Sequence, residues 1–137
     1  MAYTDNFRRQ HQDLLAMVGE IMGMVKTAGA RDARELRNQL SALAGKLTVH
    51  LAMEDKALYP RLVQLDVENS RSVAKAFQKE MGGLAEGFAE YNQKWQINAI
   101  AADWAGFARE TQTLFGTIGR RIARENSELY PLADQAL

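Results

Sequence analysis

The chain has no cysteine among its 137 residues, which removes disulfides, thiolate metal sites and cysteine nucleophiles together. Its only histidines are His11 and His50 and its only prolines Pro60 and Pro131, so metal or acid–base chemistry must run through very few side chains. Charge of one sign is not in excess, since Lys plus Arg and Asp plus Glu each number 17. That balance leaves no electrostatic footprint for nucleic acid or an anionic membrane. No apolar run approaches the ~18 residues of a membrane span, and the Met1–Phe7 start lacks a basic stretch leading into an apolar one. Secretion and membrane insertion are therefore not expected. The sequence also offers no nucleophile–base pair and no glycine-rich phosphate loop, so no residue is assigned a catalytic role and the chain is not expected to be an enzyme. A cytoplasmic protein that binds neither nucleic acid nor membrane is the expectation that remains.

What is present points to a folded domain. Hydrophobic residues make up 47% and charged residues 25%, the balance of a soluble globular protein, and residues 1–137 are expected to form a single domain. No β-type alternation of useful length occurs. Four segments instead place apolar residues at alternating steps of four and three, the seam of a left-handed bundle. The first runs Phe7, His11, Leu14, Val18, Ile21, Val25. The second runs Leu36, Leu40, Leu43, Leu47, His50, Glu54, Leu58, and the third Val73, Phe77, Met81, Leu84, Phe88, Tyr91, Trp95. The fourth runs Phe107, Thr111, Leu114, Ile118, Arg121, Glu125, with Leu129 and Leu132 beyond. Thr4 and Asp5, Asn69 or Ser70, and Asp103 are the expected helix caps. Short connections near 29–31 and 66–69 make their flanking helices antiparallel, and Gln96–Ala102 reads as a looser crossing. The expected fold is all-α, an up-down-up-down four-helix bundle.

The chain also repeats itself. His50-Leu-Ala-Met-Glu54 followed by Leu58-Tyr59-Pro60 aligns with Arg121-Ile-Ala-Arg-Glu125 followed by Leu129-Tyr130-Pro131, at an offset of 71 without a gap. Phe7, His11 and Leu14 align with Phe77, Met81 and Leu84 at an offset of 70. Helices one and two thus look like a pseudo-copy of helices three and four.

Polar residues interrupt this seam. His11, His50, Glu54, Arg121 and Glu125 hold register positions that are otherwise apolar, and up-down topology gathers them near one end of the interior. Burying a carboxylate or guanidinium costs several kcal/mol unless it is paired or metal-bound. His50 and Glu54 are four residues apart on one helical face and can chelate a single ion. Imidazole nitrogen with carboxylate oxygen suits Fe or Zn better than Ca or Mg.

These residues resemble the hemerythrin-like HHE cation-binding domains. In that family a His on the first helix, a His-x-x-x-Glu on the second, a His on the third and a His-x-x-x-Glu on the fourth hold two irons. The resemblance spans essentially the whole chain, including both Leu-Tyr-Pro exits, and implies a hemerythrin-like bundle. His11, His50 and Glu54 stand where family ligands stand, as does Glu125, but Met81 and Arg121 replace the two remaining histidines. An intact di-iron centre is therefore not expected. The resemblance implies a site for one Fe or Zn ion at His11, His50, Glu54 and Glu125, with Glu80, which borders the seam, able to add a carboxylate. Arg121 puts a fixed positive charge where the second ion would be.

Plainer roles compete for several of these residues. Met81 fits a gap-filling core position, Glu80 a solvated surface residue, and Arg121 a structural salt bridge with Glu54 or Glu125. Tyr59 and Tyr130 are expected to pack at helix ends with their hydroxyls on polar partners. Phe88, Tyr91, Trp95 and Trp104 fit a core or a subunit interface, and Arg8-Arg9 and Arg120-Arg121 are too few for nucleic-acid binding. The first functional expectation is a non-enzymatic metal-binding protein with a pared-down mononuclear site, serving as a metal, oxygen or redox sensor. The second is a metal-free interaction or regulatory module with a buried Arg/Glu/His network. A redox enzyme using iron, by analogy with some hemerythrin-like proteins, is the third. A homo-oligomer or a protein partner stays open in each.

Overall fold

The computed structural model describes residues 2–27, 32–65, 68–81 and 83–137, and among these all side chains except those of Glu68, Glu80 and Met81. The chain forms α1 (Asp5–Thr27), α2 (Ala33–Met53), a π-helical turn at Glu54–Leu58, α3 (Tyr59–Gln64), α4 (Glu68–Met81) and α5 (Leu84–Lys94). It continues through α6 (Ile97–Ala102), α7 (Trp104–Arg124), a second π-helical turn at Glu125–Leu129 and α8 (Tyr130–Ala136). These make a four-helix bundle with up-down-up-down connectivity. Its legs are α1, then α2 running on into α3, then α4 with α5, then α7 running on into α8. Helix α1 packs along α2 and α7, α2 along α5, and α4 against α3 and α8. The expected connection at 29–31 and residues 66–67 of the one expected at 66–69 lie outside the described residues, as do the side chains of Glu80 and Met81, while 68–69 belong to α4.

Two expectations are corrected. The third seam was read as one helix, but Gly83 separates α4 from α5, in keeping with the poor helix propensity of glycine. Gln96–Ala102, read as a loose crossing, contains the short helix α6, whose Ile100 is fully buried.

The seam residues form the core because the four–three spacing puts them on one stripe of each helix. Leu14, Ile21, Leu36, Leu40, Leu43 and Leu47 are among the buried residues of a large cluster that also takes in Phe88, Tyr91, Trp95, Phe107, Phe115 and Ile118. Trp104, half-buried, packs on its edge. Leu114 of the expected seam is only half-buried, and its neighbour Phe115 fills that core position instead. A second, smaller cluster of Phe7, Leu58, Tyr59, Leu62, Phe77, Leu129, Tyr130 and Ala133 closes one end. The polar seam residues fall between the two clusters, so they form a layer toward one end with an apolar plug beyond it.

The π-helical turns follow from the repeated Tyr-Pro. Pro60 and Pro131 cannot donate a backbone hydrogen bond, and their rings crowd the carbonyl four residues back. In both turns the tyrosine N–H bonds five residues back, Tyr59 to the Glu54 carbonyl and Tyr130 to the Glu125 carbonyl. Each turn thereby takes in one extra residue and rotates the helix beyond it. Leu58 and Tyr59 both point inward, as do Leu129 and Tyr130, and the stripe resumes at Leu62 and Ala133. The expected position Leu132 is displaced to half-exposure by this one-residue shift.

The caps are mixed. Asp103 does cap α7, accepting the Gly106 N–H at 3.0 Å. A Cβ at Gly106 would collide with that carboxylate, which explains a glycine in the first turn. Thr4 and Asp5 do not cap α1. Thr4 gives its N–H (2.8 Å) and hydroxyl (2.8 Å) to the Asp134 carboxylate, tying the chain start to α8, and Asp5 accepts from the Ala2 N–H. Helix α4 starts at Glu68, ahead of both Asn69 and Ser70. An unexpected buried cation, Arg37, closes the other end of the bundle. Its guanidinium donates to the carbonyls of Asn92 (2.9 Å) and Trp95 (2.6 Å) where α5 ends, a favourable place for positive charge.

Candidate metal centre

Helix α1 supplies His11, α2 His50, α7 Arg121, and the first residue of each π-helical turn Glu54 or Glu125. All five are buried, none more than 3% exposed. One donor atom from each of His11, His50, Glu54 and Glu125 lies within 4.8 Å of all the others. The seam register therefore brings its polar residues to one place.

Both imidazoles are oriented by side-chain amides. His11 donates from Nδ1 to Asn126 Oδ1 at 2.8 Å, and His50 from Nδ1 to Gln10 Oε1 at 2.6 Å. With Nδ1 engaged by the amide oxygen, each ring turns its Nε2 toward the centre. His11 Nε2 is 3.1 Å from Glu125 Oε1. His50 Nε2 is 3.2 Å from Glu54 Oε1, yet the angle makes no hydrogen bond and the atom is left buried without a partner among the described residues. A ring nitrogen this close to a buried carboxylate oxygen needs a proton or a cation between them, and His11 Nε2 meets both Glu125 Oε1 and the Tyr130 hydroxyl, the latter at 3.0 Å. The two imidazole–carboxylate pairs, meeting at one point and held by amides behind, make a donor set suited to a transition metal.

Arg121 and two tyrosines complete the centre. The guanidinium bridges the carboxylates, with Nη2 3.1 Å from Glu54 Oε1 and Nε 3.2 Å from Glu125 Oε2, and Asp55, half-exposed, lies 3.6 Å away. Tyr59 donates to Glu125 Oε2 at 2.7 Å. Tyr130 donates to Glu54 Oε2 and stacks on the His11 ring with centroids 5.0 Å apart. Each half of the repeat thus sends its tyrosine to the other half's glutamate. Burial, reinforced by the neighbouring carboxylates, pushes both phenols far above their ordinary range, so they remain donors.

The two carboxylates part company electrostatically. Burial raises Glu54 and outweighs the opposing pull of His50 and Arg121, with the nearby charge of Glu125 adding to the rise. Burial acts on Glu125 in the same sense, but the His11 hydrogen bond, the Arg121 charge and the Tyr59 hydroxyl outweigh it and hold Glu125 below the usual carboxylate range. Negative charge therefore resides first on Glu125, beside the guanidinium.

Of the expected site residues, His11, His50, Glu54 and Glu125 converge, while the side chain of Glu80 lies outside the described residues. Gln10, Asn126, Tyr59 and Tyr130 belong to the centre but were not assigned to it from sequence. The doubled Leu-Tyr-Pro was the available signal for the tyrosines, since a proline two residues past the seam leucine forces the turn that swings them inward. Gln10 and Asn126 carry only the weak signal of adjoining His11 and Glu125.

Two imidazoles and two carboxylates projecting into a helical-bundle core make a donor set of the kind by which bundles hold cations. The chain belongs to the hemerythrin HHE cation-binding domain family, whose family model matches residues 3–133. No curated protein and no solved structure matches it. Membership in that family implies metal binding, and the buried His/Glu cluster is where this chain can do it. Among the described residues no helix is long and apolar enough to cross a membrane.

Proposed function

We propose that this chain is a non-enzymatic metal-binding protein that holds one iron or zinc ion at His11, His50, Glu54 and Glu125 and serves as a metal, oxygen or redox sensor. The observation that carries this is the Nε2 of His50, buried, without a hydrogen-bond partner among the described residues, and clustered with His11 and the two carboxylates. Charge supports one ion rather than two. Glu54 and Glu125 bring two negative charges and Arg121 returns one positive charge among them. A first divalent ion reverses the sign of the cluster, and a second would then add to an uncompensated buried positive charge. Iron, when bound, would supply a one-electron couple, which is what a redox or oxygen sensor needs. The chain's own residues fix what surrounds it. Gln10 and Asn126 orient the imidazoles, Tyr59 and Tyr130 donate hydrogen bonds to Glu125 Oε2 and Glu54 Oε2, and the two apolar clusters close the site along the bundle axis.

Elemental analysis of protein purified without an affinity tag tests this reading. The expected result is one equivalent of iron or zinc per chain, lost when His50 is replaced by Ala. Two equivalents, or none after growth with ample metal, would count against it.

A second reading has its own support. Arg121 already contacts both buried carboxylates, at 3.1 and 3.2 Å, so the network is charge-compensated in part without any ion. In that case the chain is a metal-free interaction or regulatory module, and it would keep its full stability in the presence of a strong chelator.

A further inference from the structure

The donors are enclosed along the bundle axis by an apolar cluster on each side. A hydrated ion travelling that way would have to shed water among leucines and aromatics, at prohibitive cost. The side of the bundle is different. Between α1 and α2 a cleft of about 290 Å³ opens to solvent, and its lining includes His50 and Gln10. We propose that this cleft is the path by which a divalent cation reaches the buried donors, with Gln10 as its inner gate; this rests on the metal-binding function proposed above.

The cleft is built by sequence choices on both helices. Helix α1 contributes Gln10, Asp13 and Leu14, one turn of a single face, and α2 contributes Gly45 and Val49 at the same i, i+4 spacing. Gly45 lies within α2, where glycine is a poor helix former. A Cβ there would meet nothing within 4 Å, so neither tight packing nor backbone conformation calls for the glycine, and its effect is to leave the space open. At the mouth Asp13 offers a carboxylate, 3.6 Å from Lys46 in a pair exposed by more than half on each side, which exchanges readily with solvent and ions.

At the inner end stands Gln10. Its Oε1 accepts from His50 Nδ1 at 2.6 Å, while its Nε2 donates, among the described residues, to the Met53 thioether at 3.6 Å, a weak acceptor on an exposed side chain. Rotation of this half-buried amide breaks one strong hydrogen bond and uncovers the His50 ring from the cleft.

Cobalt(II) uptake by the full chain, freed of metal with a chelator and followed by its visible absorption in a stopped-flow instrument, tests the path. Gly45→Leu should fill the cleft and slow uptake about tenfold or more, with the same final cobalt content as the parent. Gly19→Leu is the control. Gly19 is an exposed glycine of α1, open at its Cβ and outside the cleft, so it gains the same helix propensity and should load at the parental rate. Should Gly45→Leu fail to fold by circular dichroism, Gly45→Met places an unbranched chain in the same space and carries the same expectation. Equal rates in the parent and the Gly45 variant would overturn the path, as would equal slowing by Gly19→Leu, which would mean that uptake waits on helix opening. A parent that takes up no cobalt would instead overturn the metal-binding function itself.

Discussion

Replacing Arg121 with Leu is expected to destabilise the metal-free protein by about 3–5 kcal/mol and to lower its unfolding temperature by roughly 10–20 °C. Arg121 touches both Glu54 and Glu125, and neither carboxylate has any exposed surface. Without the guanidinium, two negative groups share one dry site and at least one must take up a proton to stay there. The sign of the pH dependence follows. Glu125 is held below its ordinary range, so its contribution to parental stability is present above the usual carboxylate range and is lost as pH falls through its depressed value. Glu54 is raised and contributes in the opposite sense, gaining stability as it protonates. The gap between parent and variant should therefore narrow as pH falls through the carboxylate range. A Lys46→Ala control, which removes only the exposed pair with Asp13, should change stability by less than about 1 kcal/mol. Chemical denaturation of the three proteins at neutral and acidic pH checks the whole pattern. A variant as stable as the parent at neutral pH would mean that the carboxylates are already neutral in the native protein.

Metal itself is expected to have a comparable effect in the other direction. Free zinc at a thousand times its dissociation constant should add about 4 kcal/mol to the folded state, raising the unfolding temperature by roughly 10–20 °C. Excess chelator should reverse the shift. His50→Ala should abolish it, because Glu54 loses the imidazole one turn back and the set drops to a single nitrogen donor. Differential scanning calorimetry with and without metal gives both numbers. An unshifted parent would favour the metal-free network, in which Arg121 alone balances the carboxylates.

The site's main residues were legible in the sequence because a bundle seam is strict. A polar side chain at a seam position has nowhere to go but inward, so His11, His50, Glu54, Arg121 and Glu125 could be placed together from spacing alone. The same reasoning failed where the helix stopped being an α-helix. Past Glu54 and Glu125 the α-helical period predicts Leu58 and Leu129 inward and leaves the following tyrosines to the helix ends. The π-helical turns bring Tyr59 and Tyr130 inward as well, as hydrogen-bond donors to the opposite glutamates. Gln10 and Asn126 escaped for a different reason. They lie just off the seam, and only the reach of their amides toward the imidazole Nδ1 atoms brings them into the centre. Arg37 escaped too, since a cation that caps a helix end through its carbonyls leaves no periodic trace. The break at Gly83 was masked by apolar spacing that continues unbroken across it from Phe77 to Leu84.

Crystals of the untagged protein, measured at and below the absorption edge of the bound metal, test the central claim most directly. The expected anomalous difference map has one peak per chain, enclosed by the Nε2 atoms of His11 and His50 and the carboxylates of Glu54 and Glu125, with Arg121 still on the carboxylates where a second ion would lie. Two peaks in the cluster, or none in crystals grown with ample iron and zinc, would contradict a single-ion site.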